Sequence, residues 1–311
     1  MTVARHLDTS LRAALERMQP GDLRFDEPLA PWCSVRVGGP AEALVRPSTA
    51  QQLVELLHLV TEFEVPLSVL GGGANTLVGD GGVPGITLKL PSDLMPEVLD
   101  PGRVTLGGGA AIARLVTVMK QQKRVGAEFL AGIPGTLGGA VTMNAGTKHG
   151  ECMRIVEAVE LATPSGLGWV DVSEIPFAYR QTTLPPNSII TRVRFLLPEG
   201  SLAASKAQMD ADLLYRKTTQ PLSQPNFGSV FTNPPGHFAG KLIESVQLKG
   251  HTIGRAQFSM LHANWIVNLG GANANDITEL MDLATTRVRE AHGVVLHPEV
   301  KRIGLFPPRP N

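Results

Sequence analysis

Three short runs of glycine are the residues whose type and spacing suggest chemistry in this 311-residue chain. They are Gly71 to Gly73, Gly107 to Gly109, and the segment GIPGTLGG at 132–139. Because glycine has no side chain, its backbone N–H groups can come close to a phosphate and bind it. Separated runs can hold both ends of an extended ligand, so the pattern predicts a cleft for a cofactor that carries a pyrophosphate.

The first run alone is a weak signal. No G-x-G-x-x-G opens a helix there and no G-K-[ST] follows, which excludes the dinucleotide fingerprint and the P-loop. A tight turn between two strands is the simpler interpretation of Gly71 to Gly73. The segment 126–150 favours a ligand instead, because it combines seven glycines with almost no charge.

The elements that must position these runs follow from hydrophobic periodicity and from breaks at glycine and proline. The pattern predicts an α/β layout with glycine at its turns, followed by a small α+β region. The predicted helices are 10–18, 49–62, 111–123, 201–216 and 275–292, the last closed by Gly293, and the predicted strands are 66–70, 85–90, 155–161, 168–172, 188–197, 256–259 and 265–268.

Composition limits the environment and the partners. Lys plus Arg and Asp plus Glu number 28 each, so no net field favours nucleic acid or an anionic membrane. The first twenty residues carry charges where a signal peptide would be apolar, and we expect a cytoplasmic monomer. In that reducing compartment Cys33 and Cys152 should stay thiols, and the eight histidines show no ligand spacing, so no metal is predicted.

Seven blocks of the sequence resemble, in order and spacing, the UDP-N-acetylenolpyruvoylglucosamine reductases, from about residue 27 to 304. The blocks are LGGGANTLVGDGGVPGITLKL, FLAGIPGTLGGAVTMNAGTKHGE, AYRQTTL, NFGSVFTNP, AGKLIESVQLKG, SMLHANWIVN and HPEVKRIG. The resemblance implies an enzyme with non-covalent FAD that uses NADPH to reduce UDP-N-acetylenolpyruvoylglucosamine to UDP-N-acetylmuramate, a step of bacterial peptidoglycan precursor synthesis.

The resemblance also implies an α+β chain with a vanillyl-alcohol-oxidase-type FAD-binding fold of two α/β subdomains plus a C-terminal α+β substrate-binding domain. We place the FAD-binding domain at 1–205, with subdomains of about 1–88 and 89–205, and the substrate-binding domain at 206–311. The last residues of the chain either stay in the substrate-binding domain or return to pack with the first subdomain. The proline-containing connection TTQPLSQPNF supports a change of domain in this region.

Functional residues of the family carry over position by position. Arg180 matches the arginine that stabilises the enol intermediate, Ser229 the proton donor and Glu299 the third catalytic residue. The 49 positions between Arg180 and Ser229 (229 minus 180) resemble the shorter class, which lacks an inserted tyrosine-bearing loop.

Two further sets of residues carry over. The cofactor-binding set is Gly71, Gly72, Gly73, Ala74, Asn75, Thr76, Gly132, Ile133, Pro134, Gly135, Thr136, Gly138, Gly139, Asn144 and Ala145. The substrate-binding set is Tyr179, Asn233, Lys241, Gln257, His262 and Asn264. Three positions depart from the family. Ala74 replaces the usual serine, and Thr232 and Leu261 each replace a usual lysine. The side-chain contacts that the serine and the lysines would make to anionic groups are therefore not expected here.

The implied chemistry explains the three catalytic types. Hydride addition to a C=C bond conjugated with a carboxylate leaves a dianionic enolate, which the planar, permanently charged fork of Arg180 would stabilise. The hydroxyl of Ser229 is a weak acid, useful only toward such a basic carbon, and Asn226 or Asn233 would hold it in place. Glu299 would act as a neutral acid if buried, or otherwise orient a water or Arg180.

Two other functions fit parts of the pattern. The first is a flavin oxidase on the same scaffold, which would often tether FAD through His or Cys, although residues 70–82 contain neither. The second is a non-catalytic flavin-binding module, for which loss of Arg180, Ser229 or Glu299 would be typical. All three residues are present.

Overall fold

The computed structural model describes residues 7–308. Its α-helices include all five that hydrophobic periodicity predicts, within a few residues at each end. The helices are α1 (Thr9–Met18), α2 (Ala50–Glu62), α3 (Ile112–Gln121), α4 (Leu137–Thr142), α5 (Leu202–Thr219), α6 (Ala239–Ser245) and α7 (Ala274–His292). The sequence did not predict α4 and α6, because both are short and α4 contains two glycines of the run GIPGTLGG.

The strands form sheets of two to five members, and every predicted strand is confirmed. One sheet has the order β1 (Asp22–Pro28), β2 (Pro40–Arg46), β5 (Val83–Leu88), β3 (Leu67–Val69), and a second β11 (Gly166–Asp171), β10 (Val156–Thr163), β14 (Ile189–Leu196), β7 (Arg103–Gly107), β6 (Val98–Asp100). A third has the order β15 (Asn226–Ser229), β18 (Trp265–Asn268), β17 (Ala256–Phe258), β16 (Thr252–Ile253), and the remaining pairs are β12 (Phe177–Ala178) with β13 (Gln181–Thr182), β19 (Lys301–Ile303) with β4 (Thr76–Val78), and β8 (Gly146–Thr147) with β9 (Gly150–Glu151).

Contacts divide the chain into two compact units. Unit 1 comprises Met1–Arg24, Ala43–Gly72 and Gly85–Leu214, and unit 2 comprises Phe25–Glu42, Gly73–Pro84 and Tyr215–Asn311. In unit 2 the C-terminal strand β19 runs parallel to β4, which lies in the first of the predicted subdomains. This division reflects compactness and not ligand binding, so the predicted domain boundary at 205 and the predicted subdomain boundary at 88 stay predictions. The predicted domains also include residues 1–6 and 309–311, which lie outside the described residues.

The five-stranded sheet supports unit 1. Apolar side chains of its inner face, such as Leu106, Val193 and Phe195, are fully buried with Leu115 of α3 and Leu137 of α4. This burial fixes α3 and α4 against the sheet, because apolar area removed from water is the main stabilising term. The glycine-rich segment before α4 therefore leads into a helix whose position is fixed by the core.

A charged pair crosses two central strands of that sheet. Glu160 on β10 faces Arg192 on β14, and its carboxylate accepts hydrogen bonds from Arg192 and from the Thr191 hydroxyl at 2.8 Å. Burial alone would raise the pKa of Glu160, but these bonds and the guanidinium charge hold it below its usual value. The Arg192 guanidinium also lies 5.3 Å from the centre of the Trp169 ring, which makes a continuous row across three strands.

Helix α7 organises unit 2. Asn273 and Asp276 form a capping box at its start, and Gly293 ends it in the left-handed conformation. The carboxylate of Asp80 accepts hydrogen bonds from the backbone N–H groups of Ala274 and Asn275 at 2.8 and 3.2 Å. The segment that contains β4 is thereby attached to the first turn of α7, where an anion is favoured.

Two observations concern the environment of the chain. Cys33 and Cys152 are both buried free thiols, as predicted, and burial raises the pKa of Cys152 to about 12, which makes that thiol unreactive near neutral pH. No helix within residues 7–308 has the length and apolar character needed to cross a membrane.

We predict that Glu160→Gln lowers the free energy of unfolding by about 2 kcal/mol at pH 7, because the charged hydrogen bonds to Arg192 are lost. The folded-state pKa of Glu160 is depressed, so this contribution is fully present above the unfolded value of about 4.3 and is lost as the pH falls through the lower folded-state pKa. Urea denaturation at pH 7 and in steps down to about pH 2 measures both effects.

A matched control for this prediction is Glu97→Gln, since Glu97 pairs with Arg114 at 2.6 Å but both side chains are 34% exposed. An exposed pair should contribute less than about 1 kcal/mol. Equal losses for Glu160→Gln and Glu97→Gln would contradict the structural importance of the buried pair.

Candidate active site

Glycine runs that are far apart in the sequence meet around Gly135 in unit 1. A Cβ atom on Gly72 would lie 2.6 Å from the Gly135 Cα, and a Cβ on Gly71 would lie 2.8 Å from the Thr136 Oγ1. On the other side, the Gly138 N–H donates to the Gly108 carbonyl at 2.8 Å and the Ile112 N–H donates to the Gly135 carbonyl at 3.0 Å. The absence of side chains is therefore required for backbone packing as well as for any ligand.

This arrangement leaves backbone donors without a partner. Thr136 caps α4, and its hydroxyl accepts from the Gly139 N–H at 3.4 Å. Within the described part of the chain, several backbone N–H groups around this cap donate no hydrogen bond, namely those of Gly71, Gly72, Gly132, Gly135 and Thr136. Gly72 and Gly132 are exposed and the other three residues are half-buried, so these donors face an accessible surface that suits a phosphate group.

A cation that sequence reasoning missed lies beside these donors. The Lys89 Nζ donates to the Gly71 carbonyl at 2.5 Å. Lys89 directly follows β5, so its place beside the first glycine run depends on the pairing of β3 with β5. The only signal in the sequence is the lysine in the mainly apolar segment GITLKL. A lysine beside a buried strand needs a polar partner, which indicates a contact for Lys89.

The remaining residues of the first predicted cofactor segment belong to unit 2. Gly73 has a positive φ of 64° and its carbonyl accepts from the Ser34 N–H at 2.9 Å. The Asn75 side chain donates to the Glu299 carbonyl at 3.1 Å, and the Asn75 carbonyl accepts from the Lys301 N–H at 2.9 Å. Ala74 and Thr76 are half-buried beside them. Asn75 thus links a predicted cofactor segment to a predicted catalytic residue.

Asn144 and Ala145, two of the predicted cofactor contacts, are both buried. The Asn144 amide donates to the Glu151 carboxylate and to the Ala178 carbonyl, both at 3.0 Å, and its oxygen accepts from the Met153 N–H. The N–H of Ala145 donates to the Ala140 carbonyl at 2.8 Å. The structure therefore favours a supporting role for these two residues.

Arg180 lies in unit 1, in the two-residue turn of the hairpin β12–β13. Its φ is +57°, a conformation in which a side chain costs roughly 1–2 kcal/mol compared with a right-handed one. One guanidinium nitrogen donates to the Gly146 carbonyl at 2.8 Å, and the group lies 5.0 Å from the centre of the Tyr179 ring. A strained arginine held by its neighbours suggests selection for its position, not for stability.

Ser229 ends β15 in unit 2 and pairs with Trp265 of β18. The strand has an irregular register between Asn226 and Ser229, where Gly228 has a positive φ of 83° and open space where its Cβ would be. Ser229 is half-buried, and within residues 7–308 its hydroxyl makes no hydrogen bond. Neither Asn226 nor Asn233 bonds to this hydroxyl here; their side-chain oxygens accept from the N–H groups of Gly228 and Ala239.

Glu299 is brought next to Ser229 by one backbone contact. The Glu299 N–H donates to the Val230 carbonyl at 2.8 Å, and Val230 directly follows Ser229. Two further bonds join the same segments, since Thr232 donates to the His297 carbonyl from both its N–H, at 3.0 Å, and its hydroxyl. The structure thus places two of the three predicted catalytic residues on adjacent segments of unit 2 although 70 positions separate them (299 minus 229).

The predicted substrate-binding residues fall into two groups. Three are exposed: Tyr179 (53%), Asn233, and Lys241, whose Nζ lies 5.3 Å from the centre of the Phe238 ring. Gln257 is half-buried and its amide donates to the Gly250 carbonyl and the Thr252 hydroxyl. Asn264 is only 4% exposed.

His262 belongs with the second group. Burial lowers its pKa, and the positive charge of Lys249 lowers it further, so the imidazole is neutral at pH 7. Its Nδ1 accepts from the Asn264 N–H at 3.2 Å, which leaves the proton on Nε2. The described residues contain no group of three or more His, Cys, Asp and Glu side chains suited to a metal ion.

Family models and relatives match almost all of this chain. A model described as FAD binding domain matches residues 41–169, and one described as UDP-N-acetylenolpyruvoylglucosamine reductase, C-terminal domain, matches residues 220–303. A UDP-N-acetylenolpyruvoylglucosamine reductase of Myxococcus xanthus is 63% identical over 302 residues, covering 96% of this chain and 97% of its own. The chain belongs to the UDP-N-acetylenolpyruvoylglucosamine reductase family. A reductase of Anaeromyxobacter sp. (strain Fw109-5) is 52% identical, covering 96% of this chain and 94% of its own.

A solved structure extends the comparison to the fold. The UDP-N-acetylenolpyruvylglucosamine reductase of Thermus caldophilus is 36% identical, with a TM-score of 0.78, and covers 91% of this chain and 98% of its own. The expected α+β chain with a vanillyl-alcohol-oxidase-type FAD-binding fold is confirmed. Between Arg180 and Ser229 lie β13, β14, helix α5, the start of β15 and their connections, and this short interval is the one expected for the shorter class of reductases.

The observed donors fit FAD. Its pyrophosphate needs closely approached backbone N–H groups, and the junction of Gly71, Gly72 and Gly135 offers them beside the positive charge of Lys89. A side chain at Gly72 would fill the space between the two loops. The glycine runs, Thr136 and the half-buried Ile133 are therefore the residues of unit 1 that would hold the cofactor.

We predict that Gly72→Ala weakens FAD binding at least about tenfold, because the new Cβ overlaps Gly135 and displaces the loop by overpacking. Titration of the apoprotein with FAD, followed by flavin fluorescence, measures the dissociation constant. The control is Gly168→Ala, where a Cβ would meet nothing within 4 Å and φ is not positive. An unchanged FAD affinity in Gly72→Ala would refute the importance of this junction.

Proposed function

We propose that this chain catalyses the NADPH-dependent, FAD-mediated reduction of UDP-N-acetylenolpyruvoylglucosamine to UDP-N-acetylmuramate, a step in peptidoglycan precursor biosynthesis. The observation that carries the proposal is family membership along nearly the whole chain, at 63% identity to a relative of that name. The uncommitted Ser229 hydroxyl beside open space at Gly228 supports it, because a proton donor must have a free hydroxyl and room for a substrate.

The cofactor and the chain divide the chemistry. Bound FAD supplies hydride transfer from NADPH to the terminal carbon of the substrate's C=C bond. The chain must then stabilise negative charge beside the substrate carboxylate and deliver one proton to the adjacent carbon. We assign the first task to Arg180, since its guanidinium stays charged throughout and can bind two oxygens at once.

Ser229 and Glu299 complete the assignment. Ser229 donates its hydroxyl proton to the enolate carbon, which is basic enough to accept it. Glu299 lies on the neighbouring segment, where it either donates a hydrogen bond to the intermediate as a neutral acid or orients a water or Arg180. Tyr179, Asn233 and Lys241 are exposed and stay candidates for binding the substrate, whereas Gln257 and His262 would act mainly through the loops they hold.

We further propose that the enzyme works as a monomer in the bacterial cytoplasm, without nucleic acid or a membrane. The balanced charge supports this proposal, because no net field attracts either polyanion. A flavin oxidase on this scaffold is the second candidate. It is distinguished by covalent flavin that stays with the protein after acid precipitation, whereas the proposed reductase should release all its flavin.

We predict that Ser229→Ala separates the two half-reactions. Bleaching of the flavin by NADPH should keep its wild-type rate, because that transfer needs no proton from serine. Reoxidation by UDP-N-acetylenolpyruvoylglucosamine should slow by roughly 10²- to 10⁴-fold, the range a positioned general acid supplies. Stopped-flow absorbance of the two steps measures both rates.

The same experiment tests the proposed function on the wild-type protein. NADPH should bleach the yellow colour, and the enolpyruvyl sugar should restore it in the absence of oxygen. A protein that binds no FAD, or whose reduced flavin does not react with the sugar, contradicts the function. Equal slowing of both steps in Ser229→Ala would instead indicate that Ser229 shapes the site and does not donate the proton.

We predict that Arg180→Lys lowers turnover at least about tenfold, or roughly 1.4 kcal/mol, because the charge remains but the fork is lost. Steady-state turnover at saturating NADPH and sugar measures the effect. Arg103→Lys is the control, since Arg103 belongs to the same unit but its side chain is 58% exposed and pairs with Glu157. Unchanged turnover in Arg180→Lys would remove Arg180 from the mechanism.

A further inference from the structure

The segment that carries Ser229 depends on one buried asparagine. The Asn264 carboxamide bonds to Phe231 as the peptide group of a neighbouring strand would. Its oxygen accepts from the Phe231 N–H at 3.0 Å, and its nitrogen donates to the Phe231 carbonyl at 2.8 Å. The Asn264 backbone carbonyl also accepts from the Val230 N–H at 2.9 Å. Three hydrogen bonds from a single residue thus fix the two positions that follow Ser229.

These bonds replace a missing part of the sheet. Pairing between β15 and β18 ends at Ser229 and Trp265, after the irregular register at Gly228. Beyond that point the Asn264 carboxamide continues the pairing at Phe231. On the other side, the Val230 carbonyl accepts from the Glu299 N–H at 2.8 Å, and Phe231 forms a bridge with Pro298. The Ser229 segment is therefore held between Asn264 and the Glu299 segment.

Ser229 needs such support because its own side chain supplies none. Its hydroxyl makes no hydrogen bond to any residue from 7 to 308, and the preceding Gly228 is the most permissive residue type in the backbone. The direction of the hydroxyl is consequently set by the backbone at Val230 and Phe231. A displacement of about 1 Å at a reacting group can cost on the order of 100-fold in rate.

We infer that Asn264 is a positioning residue that fixes the Ser229 hydroxyl through Val230 and Phe231, and that it does not bind the substrate. The inference rests on the proposed function of Ser229 as proton donor. Burial supports it, because Asn264 is 4% exposed and its carboxamide is occupied by Phe231. The chemistry of the first half-reaction does not involve Asn264.

The test measures the two half-reactions in FAD-loaded Asn264→Ala. Reoxidation of the reduced flavin by UDP-N-acetylenolpyruvoylglucosamine should slow by about 10- to 100-fold, while bleaching by NADPH should stay within about twofold of wild type. Asn264→Asp keeps the acceptor for the Phe231 N–H and loses the donor, so its reoxidation rate should fall between the two. Equal slowing of both half-reactions, or no slowing of either, would overturn the inference.

Asn268→Ala is the matched control. Asn268 ends β18, the strand that Asn264 directly precedes, and is 5% exposed. Its side chain donates to the Val35 carbonyl at 2.9 Å and does not bond to Val230 or Phe231. Asn268→Ala should lower the melting temperature without separating the half-reactions. A selective loss of reoxidation in Asn268→Ala would show that any buried asparagine near this strand has the same effect, and would overturn the specific role of Asn264.

A double mutant separates this inference from the function on which it rests. If Asn264 acts through Ser229, then Asn264→Ala should slow reoxidation no further in a Ser229→Ala background, whereas independent effects would multiply. Multiplying effects would overturn the inference and leave the role of Ser229 intact. Reoxidation at the wild-type rate in Ser229→Ala alone would refute the proton donor itself.

Hydrogen exchange provides a readout without turnover. In the wild-type holoenzyme the Phe231 N–H should exchange as slowly as the Val230 N–H, and in Asn264→Ala it should exchange at least about tenfold faster than in wild type. This measurement in the wild type remains decisive if neither Asn264 variant folds. Rapid exchange at Phe231 in the wild type would overturn the inference, because the carboxamide would not be holding the segment.

Discussion

The close approach of backbone segments around Gly135 is the constraint on which the cofactor-binding part of unit 1 depends. Gly72 and Gly108 are far apart in the sequence, yet both reach the start of the six-residue helix α4, Gly72 at Gly135 and Gly108 at Gly138. Leu137 is anchored in the core of the five-stranded sheet, so the loop is positioned by apolar burial on one side. On the other side its N–H groups remain available, and the fold thereby presents rigidly held donors to a phosphate.

Glycine around Gly135 therefore has two functions, and the sequence alone does not show which of them requires it. Gly72 allows loop-to-loop packing, and the same lack of a side chain exposes the donors. Gly228 differs, because no residue from 7 to 308 lies within 4 Å of where its Cβ would be and its φ is positive. Its glycine is required by the backbone conformation and by room next to Ser229, not by packing.

Much of the fold could be predicted because periodicity and end signals agree. Helix α7 shows this best, since its apolar face, its Asn273 cap and the closing Gly293 are all visible in the sequence. Helix α4 could not be predicted, because its six residues include Gly138 and Gly139 and it depends on burial of its apolar side chains in the core with Leu106 and its neighbours. In such short elements tertiary packing overrides local propensity.

The candidate site shows the same division between local and tertiary information. A family motif identifies which residues matter, but not whether they contact a ligand or hold another residue. Asn144 and Asn264 both belong to conspicuous motifs, yet each carboxamide is occupied inside the protein, by Ala178 near Arg180 and by Phe231 near Ser229. A buried carboxamide left unpaired would cost about 1–3 kcal/mol, so its partners are part of its function.

These two asparagines also explain how catalytic groups can be held at positions that the local backbone does not favour. Arg180 adopts a strained conformation in a two-residue turn, and Ser229 follows a permissive glycine, so neither position is fixed by local preference. In each case a neighbouring carbonyl or N–H bonds to an amide that is itself immobilised in a core. Rigidity is transmitted through the backbone, which leaves the Ser229 hydroxyl uncommitted, whereas one guanidinium nitrogen of Arg180 also donates to the Gly146 carbonyl. Placing the polar partners behind the reactive groups therefore combines fixed geometry with an accessible side chain.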